Sequence, residues 1–271
     1  MNFISNLKFL SLLTYTNIKL YATERNQALS DALVNNSIFW YGHATTLINM
    51  SDKIILTDPV LTKNLSFFRR VFDRPIELNN HKIDYILLSH GHMDHMHFPS
   101  LRKLNRDATV IVPKGYKKIL ELMGFKNVVL LRSNETYEDE NIKITALEAN
   151  HDGRRFYLGL DNESNSYLIE RNGKKVFFAG DTAFTNNFDG LKCDVALMPV
   201  GCYKPDRFSH MHCTPKESYD MFCKMECNAM IPIHYKTFKI SLEDFDETDS
   251  TLKEINDEKI KILDIGQTFK I

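Results

Sequence analysis

The segment Ser89-His90-Gly91-His92-Met93-Asp94-His95 directly follows the apolar run 85–88 and carries three histidines and one aspartate within six residues. Side chains at positions 90 and 92 share a face of an extended backbone, and the glycine between them permits a tight bend. Imidazole and carboxylate groups are common zinc ligands. A histidine-rich surface loop is the alternative, but rigid scaffolds place functional groups on loops of this kind. The HxHxDH pattern therefore predicts a metal site at a strand end.

Three further ligand-type residues stand where an apolar run ends. His151 follows the run 142–149, Asp181 follows 176–179, and His234 follows 230–233. Alone, each is more often a capping aspartate or a surface histidine. Together with positions 90–95 they would supply up to seven ligands, whereas zinc takes three or four from the protein. The count favours two ions that share a carboxylate.

Composition indicates an ordinary globular protein. The 271 residues are 43% hydrophobic and 25% charged, which excludes a disordered chain. Because 34 basic residues stand against 35 acidic ones, the protein has no net positive field that would attract a polyanion. We therefore expect no nucleic-acid partner. The length suits one large domain with a sizeable core.

The cysteines indicate a reducing compartment. Their number is odd, they form no CxxC pair, and all five lie in the last third: Cys193, Cys202, Cys213, Cys223 and Cys227. Cys223 and Cys227 lie one helical turn apart and could form half of a metal site, but no second Cys/His pair follows at zinc-finger spacing. We expect reduced, partly buried thiols in a cytoplasmic protein.

The N-terminal region predicts a helix and no signal peptide. The apolar run 9–15 is too short to span a bilayer, and neither a basic leader nor a cleavage site accompanies it. Phe3, Leu7, Leu10 and Leu13 recur at helical spacing. We expect this amphipathic helix to pack on its own domain, with peripheral contact to a membrane surface as the alternative.

From residue 37 onward the chain is dense in strands. Short β-rich runs occupy 37–41, 45–50 and 53–57, and buried runs follow at 84–89, 108–112, 142–149, 166–170, 176–179, 195–200 and 230–233. Helical spacing occurs at 98–104 and 114–123, and Thr214-Pro215-Lys216-Glu217 reads as a capped start of a helix running to about residue 226. The acidic stretch 241–258 is expected to be solvated surface. This order favours stacked sheets flanked by helices.

These motifs resemble the metallo-β-lactamase superfamily of dinuclear hydrolases, from about residue 39 to 238. Within this superfamily the sequence resembles the branch of N-acyl-phosphatidylethanolamine-hydrolysing phospholipase D, and ascorbate-6-phosphate lactonase is a related family. The motifs that carry it are FWYGHATTLI at 39–48, ILTDP at 55–59, ILLSHGHMDH at 86–95, FFAGDT at 177–182, MPVGCYKP at 198–205, MHCTPKES at 211–218 and IPIHYKTF at 231–238. The resemblance implies an α/β fold, a four-layer αββα sandwich of two mainly antiparallel mixed sheets flanked by helices. We expect an N-terminal helical extension at 1–36 and one catalytic domain at 37–271.

Carried over by position, the resemblance implies the metal ligands. His90, His92 and His151 would hold one ion, Asp94, His95 and His234 a second, and Asp181 would bridge them. The nitrogen and oxygen set suits two zinc ions and admits manganese or iron. Asp58 matches a structural aspartate that orients ligands, and His43 of the GHAT motif is expected to support the site, although a purely structural hydrogen bond is equally compatible.

The resemblance also implies catalytic and substrate contacts. His212 matches a histidine at the active-site mouth and is assigned to substrate contact or proton donation, and Asp94 could also hold the nucleophile. The basic residues near the ligands could receive a phosphate, although a solvated rim is the alternative for each: Arg154, Arg155, Lys204, Arg207 and Lys236. Lys236 departs from the animal phospholipase pattern, which has a small residue there.

The predicted function is metal-dependent hydrolysis. A hydroxide held by two metal ions would attack a phosphodiester (a phospholipid among them) or a lactone or ester, in a small-molecule or lipid substrate. No phosphate-binding glycine loop or nucleophile elbow is present. The alternatives are a ribonuclease Z-like nuclease, which the near-neutral charge disfavours, and a non-catalytic metal-binding scaffold. The sequence makes no prediction of oligomeric state.

Overall fold

A computed structural model describes residues 3–155 and 163–271, with side chains of the first helix from residue 5 onward. Its helices are α1 (Phe3–Tyr21), α2 (Phe98–Leu101), α3 (Lys117–Leu122), α4 (Pro215–Lys224) and α5 (Phe245–Ile255), with 3₁₀ turns at Glu77–Asn80 and Asp206–Phe208. Among the helices of residues 3–155 and 163–271, none combines the length and the hydropathy that a bilayer span requires.

The first sheet has seven strands, antiparallel at one end and parallel at the other. Strands β1 (Ser37–Gly42), β2 (Thr45–Met50) and β3 (Lys53–Thr57) form an antiparallel meander, and β3 runs parallel with β6 (Tyr85–Leu87), β7 (Thr109–Val112) and β8 (Asn127–Leu130). Its spatial order is β15 (Thr268–Lys270), β1, β2, β3, β6, β7 and β8.

The second sheet has six strands and is also mixed. Strands β12, β13 and β14 are parallel, and the other pairs are antiparallel. Its order is β14 (Glu226–Ile233), β13 (Lys192–Pro199), β12 (Lys174–Phe178), β11 (Asn165–Arg171), β10 (Lys143–Glu148) and β9 (Thr136–Glu138). A two-stranded hairpin of β4 (Asn64–Leu65) and β5 (Phe68–Arg69) stands apart from both sheets.

Alternation along the strands builds the layers. In β1, Ile38 and Trp40 pack into the core between the sheets, whereas Phe39 and Tyr41 point to the opposite face, where Leu101 and Leu120 of α2 and α3 lie. Both faces of the first sheet are therefore buried, which explains why its strands read as nearly continuous apolar runs. Helices α4 and α5 contribute Met221, Phe222 and Leu252 to the core on the side of the second sheet. The result is the αββα sandwich.

Helix α4 begins where its capping sequence predicted. The Thr214 side chain accepts a hydrogen bond from the backbone N–H of Glu217, and the Glu217 carboxylate accepts from the backbone N–H of Thr214 at 2.8 Å. Pro215 occupies the first turn, where its missing N–H costs nothing. This capping box places His212 immediately before a rigid helix start.

Helix α1 forms as expected, but the face that it buries is not the expected one. Leu13 is buried, whereas Leu7 and Leu10 are more than half exposed, and Phe3 lies outside the described side chains. The buried side runs instead through Phe9 and Leu13, because the Phe9 ring meets that of Phe208. Residues after α1 continue along the domain, with the backbone N–H of Leu29 bonded to the carbonyl of Ile265. The division at residue 36 stays a prediction.

The acidic stretch 241–258 is not simply solvated surface. It contains α5, whose Thr248 and Leu252 are buried, and Ser241 and Glu243 just before it are buried as well. The acidic residues dominate its composition, but an amphipathic helix needs only one apolar stripe to pack. The helices predicted at 98–104 and 114–123 are present but shorter, and β8, β9, β15 and the β4–β5 hairpin were not predicted.

Two of the five cysteines contradict the expectation of reduced thiols. Cys193 on β13 and Cys227 on β14 form a disulfide. The parallel register of these neighbouring strands puts the two residues opposite each other, and nothing in their spacing of 34 residues reveals it. Cys202 and Cys213 are buried free thiols, and Cys223 is exposed.

Candidate metal centre

The ligand-type residues meet at one end of the two sheets. We name this set the histidine–aspartate cluster; its members are His43, His90, His92, Asp94, His95, His151, Asp181, His212 and His234. Most of them follow the carboxyl end of a strand, and the ends of parallel strands in one sheet point the same way. His43 lies in the β1–β2 turn, where its φ of 56° is in the left-handed region.

The first group within the cluster is formed by His90, His92 and His151. One ring nitrogen of each lies within 4.8 Å of the others. His151 Nδ1 donates to the carbonyl oxygen of Met211 at 2.7 Å, which turns its Nε2 toward His92 Nδ1 at 3.2 Å. The Ser89 hydroxyl lies 2.9 Å from His90 Nδ1, and His90 Nε2 is buried with no hydrogen-bond partner among residues 3–155 and 163–271.

The second group contains Asp94, His95 and His234, and His43 joins them. His95 Nε2 and His234 Nε2 are 3.1 Å apart, and Asp94 Oδ2 lies 3.5 Å from each. His43 Nε2 is 3.1 Å from the same Asp94 oxygen. His43 therefore contacts a cluster carboxylate directly, beyond a merely structural hydrogen bond at the turn.

Asp181 lies between the two groups. Its Oδ2 is 3.0 Å from His95 Nε2 and 4.0 Å from His90 Nε2, and its Oδ1 is 3.1 Å from His234 Nε2. The side chain is 1% exposed. It is held at the end of β12 by Gly180, whose φ of 62° favours glycine and whose added Cβ would lie 2.6 Å from that of Ser89.

Asp58 organises the loop that carries the HxHxDH pattern. Its Oδ1 accepts from the backbone N–H of Ser89 at 2.8 Å, and its Oδ2 accepts from the Ser89 hydroxyl at 2.5 Å and from His95 Nδ1 at 2.6 Å. The last contact orients the His95 ring so that Nε2 faces Asp94 and Asp181. Asp58 thus orients Ser89 and His95 without itself lining the cavity.

The electrostatics of the cluster are strongly perturbed. Burial lowers the pKa of His90 well below its ordinary value, and it lowers that of His151 to about 4. Burial acts in the same direction on His95, but Asp181 and Asp94 outweigh it and hold its pKa well above the ordinary value. The pKa of Asp181 is held well below its ordinary value, because His234 and His95 outweigh the effect of burial. Such opposed shifts are concentrated at functional sites.

The donor set fits divalent metal ions. Two nitrogens on one tetrahedral zinc lie about 3.3 Å apart when each bond is about 2.0–2.1 Å. The facing pairs in the two groups, at 3.1 and 3.2 Å, are close to that separation. The buried His90 Nε2 has no partner in the described part of the chain, and burying such an atom is costly unless a ligand satisfies it.

A cavity of about 260 Å³ opens onto the cluster. Its polar end is formed by His92, Asp94, Asp181, Cys202 and His212, and its apolar wall by Leu65, Phe68, Met93, Phe208, Met211 and Ile240. A larger cavity of about 500 Å³ reaches only His151 among the cluster residues. The smaller cavity is the one that exposes both groups to a substrate.

His212 stands at the polar end of this cavity. Its Nδ1 is 3.7 Å from Asp181 Oδ2, and its ring centroid is 5.1 Å from that of His151. Burial lowers the pKa of His212 well below its ordinary value, so the ring is neutral at neutral pH. The residue is therefore positioned to contact a molecule in the cavity.

The basic residues expected near a substrate lie elsewhere. Lys204 Nζ pairs with Glu247 at 2.6 Å and Lys236 Nζ with Asp249 at 2.7 Å, so both ammonium groups face helix α5. Arg155 donates to the carbonyl oxygens of Gly91 and Met96, each at 2.9 Å. The structure brings none of the three into the cavity lining.

The other two expected cations are also engaged. Arg154 pairs with Asp152 at 2.5 Å, and the guanidinium of Arg207 stacks on the rings of Phe9 and Phe208. The sequence shows which residues are basic, but their partners come from segments that folding brings alongside.

Three supporting residues were not found in the sequence. Ser89 bonds to Asp58 and His90, and its place directly before the HxHxDH pattern was an available signal. The Thr237 hydroxyl accepts from the backbone N–H of His43. Glu243 accepts from the backbone N–H groups of Cys202 and Lys204 and so holds a cavity loop. No local pattern distinguishes Glu243 from its acidic neighbours.

Comparisons with known proteins identify the family. Residues 53–235 match the family Lactamase_B_2, the beta-lactamase superfamily domain. N-acyl-phosphatidylethanolamine-hydrolyzing phospholipase D 1 of Caenorhabditis elegans is 28% identical, over 83% of this chain and 71% of its own. A UPF0173 metal-dependent hydrolase of Christiangramia forsetii is 26% identical, over 86% of this chain and 99% of its own. The chain spans only 60% of an uncharacterized Mycobacterium tuberculosis relative, which is 24% identical over 76% of this chain.

A solved structure shows the same fold. The crystal structure of a possible metal-dependent hydrolase from Veillonella parvula superposes with a TM-score of 0.72 at 17% identity, and it covers 88% of this chain and 100% of its own. The chain belongs to the metallo-β-lactamase superfamily, as a metal-dependent hydrolase.

Proposed function

We propose that the histidine–aspartate cluster holds two divalent ions, most simply zinc. His90, His92 and His151 would bind one ion, and Asp94, His95 and His234 the other, with Asp181 reaching both. The absence of cysteine among these residues also admits manganese or iron. The observation that carries the proposal is that Asp181 lies within 4.0 Å of His90 on one side and 3.1 Å of His234 on the other.

The reaction we propose is hydrolysis of a phosphodiester, or of a lactone or ester. Two divalent ions in these positions would lower the pKa of water toward neutrality and polarise the scissile oxygen. His95 and His234 outweigh burial and hold the pKa of Asp94 well below its ordinary value, so Asp94 is a carboxylate at neutral pH. It therefore accepts a hydrogen bond from the attacking water and orients it.

His212 is proposed as a substrate contact. Because burial keeps its ring neutral, it donates one N–H to a substrate oxygen and holds that oxygen near the attacking water. His43, at 3.1 Å from Asp94, keeps that carboxylate oriented.

The substrate is proposed to combine a polar scissile group with an apolar portion. The cavity meets the cluster at one end and is walled by Phe68, Phe208 and Ile240 elsewhere. The name of the Caenorhabditis elegans relative gives a phospholipid as its substrate, and we extend that class to this chain together with lactones. A cytoplasmic location stays a prediction.

The test combines metal analysis with a substrate panel. We expect about two equivalents of zinc, manganese or iron per purified chain, and turnover of a generic phosphodiester such as bis(p-nitrophenyl) phosphate, of an N-acyl phosphatidylethanolamine in vesicles, or of a lactone. Tight metal binding with no turnover would favour a scaffold. Hydrolysis of RNA, with an affinity that falls steeply with salt, would favour the nuclease.

His212→Ala separates substrate contact from metal binding. We expect turnover to fall at least about tenfold while metal content stays unchanged, because His212 is proposed to contact the substrate and not to bind a metal ion. His210→Ala is the matched control, since His210 is exposed and lies outside the cluster. Loss of metal from the His212→Ala protein would mean that this ring is a ligand.

A further inference from the structure

Helix α1 exposes a second apolar stripe that the domain does not cover. Leu7, Leu10, Ile18 and Tyr21 are between 49% and 63% exposed. At roughly 100° per residue these positions lie within a single arc of the helix, next to the arc of Phe9 and Leu13 that faces the domain. We name them the α1 stripe. An apolar arc this wide is more than packing on the domain uses.

The charged side chains of helix α1 itself are all positive. The helix carries Lys8 and Lys19 and no acidic residue from Phe3 to Tyr21; the next acid, Glu24, lies beyond its end. In the β4–β5 hairpin packed beside α1 and the residues around it, Lys63 is exposed, whereas Arg69 and Arg70 are buried. Arg69 of that hairpin donates to the carbonyl oxygens of Leu20 and Thr23. An apolar stripe bordered by lysines suits an anionic surface.

Helix α1, which carries the stripe, packs beside residues at the mouth of the cavity. The Phe9 ring contacts that of Phe208 with centroids 5.4 Å apart, and Asn17 donates to the carbonyl oxygen of Lys239, next to Ile240. Phe208 and Ile240 both line the cavity. Phe67, which is 47% exposed, stacks at 4.0 Å on Phe68, another lining residue. A surface that covers the stripe would therefore lie beside the cavity opening.

We propose that the α1 stripe and Phe67 dock on an anionic lipid bilayer. Lipid acyl chains would take up the apolar side chains, and the lysine ammonium groups would reach the headgroups. A second copy of the chain is disfavoured, because both charged residues of α1 are lysines and pairing two stripes would bring only like charges together. The docking does not depend on the proposed hydrolysis.

The test is vesicle co-sedimentation of the full chain. The vesicles contain phosphatidylcholine alone or with 30% phosphatidylglycerol. We expect wild type to bind the mixed vesicles, and to bind them less at high salt or without phosphatidylglycerol. Leu10→Gln/Ile18→Gln should weaken partitioning at least about tenfold, since two exposed apolar side chains lose their lipid contact. The matched control Ile119→Gln/Leu122→Gln changes two exposed apolar residues of α3 and should bind as wild type.

Separate readouts keep the outcomes distinct. Turnover of a soluble phosphodiester without lipid should be equal in all three proteins, so loss of vesicle binding does not bear on the hydrolase proposal. No binding of wild type to the mixed vesicles, or equal weakening by the α3 control, overturns the docking. A dimer in light scattering that the Leu10→Gln/Ile18→Gln change dissociates, with no vesicle binding, would assign the stripe to a second copy instead.

Discussion

The two sheets supply the histidine–aspartate cluster in different ways. On the side of the seven-stranded sheet, one loop provides four members within six residues, and its shape is set locally: the backbone N–H groups of His95 and Met96 both bond to the carbonyl of His92. On the side of the six-stranded sheet, His151, Asp181 and His234 come from separate loops. They meet because the preceding strands β10, β12 and β14 run in the same direction: β11 is antiparallel to both β10 and β12, and β12, β13 and β14 are parallel.

This difference separates local from tertiary placement. The HxHxDH loop is further held by Asp58 at its start and by Arg155, which donates to Gly91 and Met96 near its two ends. On the six-stranded side the contacts join separate loops: the backbone N–H of Asn150 donates to the Thr182 hydroxyl, and His151 Nδ1 bonds to the carbonyl oxygen of Met211, so its ligand-type side chains also depend on strand register. We therefore expect the two sides to respond differently to substitution.

The largest effect on turnover is expected when a proposed metal ligand is removed, whether from the HxHxDH loop or from the six-stranded side. His92→Ala and Asp181→Asn should each lower turnover at least about a thousandfold, because each removes a proposed ligand of the ions that activate water. The fold should survive, as judged by circular dichroism, while metal content falls. His81→Ala is the control, since His81 pairs only with Glu77 far from the cluster. Near-normal turnover with full metal content in either variant would refute the ligand assignment.

Asp58→Asn tests the local network without removing a ligand. The neutral amide cannot accept from Ser89 and His95 as the carboxylate does, so His95 loses its fixed orientation. We expect metal affinity to fall about 10- to 100-fold, measured by competition with a chelator. Asp52→Asn, in the exposed turn between β2 and β3, is the matched change and should leave affinity unaltered. Unchanged affinity in Asp58→Asn would show that His95 is held by other contacts.

Arg155→Met tests whether the HxHxDH loop is clamped from the opposite sheet. The change removes two hydrogen bonds from a half-buried guanidinium and should lower the free energy of unfolding by about 1–3 kcal/mol, measured in urea. We expect a stability loss with KM little changed, since the guanidinium does not line the cavity. A large rise in KM at unchanged stability would restore Arg155 as a substrate contact.

The smallest effects are expected at Lys204 and Lys236. Each ammonium pairs with a carboxylate of α5, so Lys204→Gln and Lys236→Gln should alter turnover by less than about twofold. Stability should change by at most about 1 kcal/mol, as is usual for partly exposed ion pairs. Glu247→Gln and Asp249→Asn remove the partners and should behave alike. A drop in affinity for phosphodiesters in a lysine variant alone would return that lysine to the substrate.

Much of the architecture was accessible from the sequence because it rests on short-range signals. The apolar runs predicted most of the strands, and Thr214 with Glu217 marked the start of α4. The acidic stretch concealed α5, and the two-residue strands of the β4–β5 hairpin carry too few residues for a periodic pattern. Helix α1 was predicted, but two apolar arcs lie side by side on it, and only contact with Phe208 selects which of them is buried.

The order of amino acids sets which functional groups are available: imidazoles and carboxylates at strand ends, spaced so that one loop presents four of them. Tertiary structure decided which of these side chains meet. His43 contacts Asp94, 51 residues away in sequence, and Asp181 lies between the two groups of the cluster. Arg155 donates to the backbone of the HxHxDH loop, and Cys193 is bonded to Cys227. The two kinds of information act over different distances along the chain. Backbone conformation and apolar periodicity act within a few residues, whereas the partner of a polar side chain is set by sheet register and by the packing of distant segments.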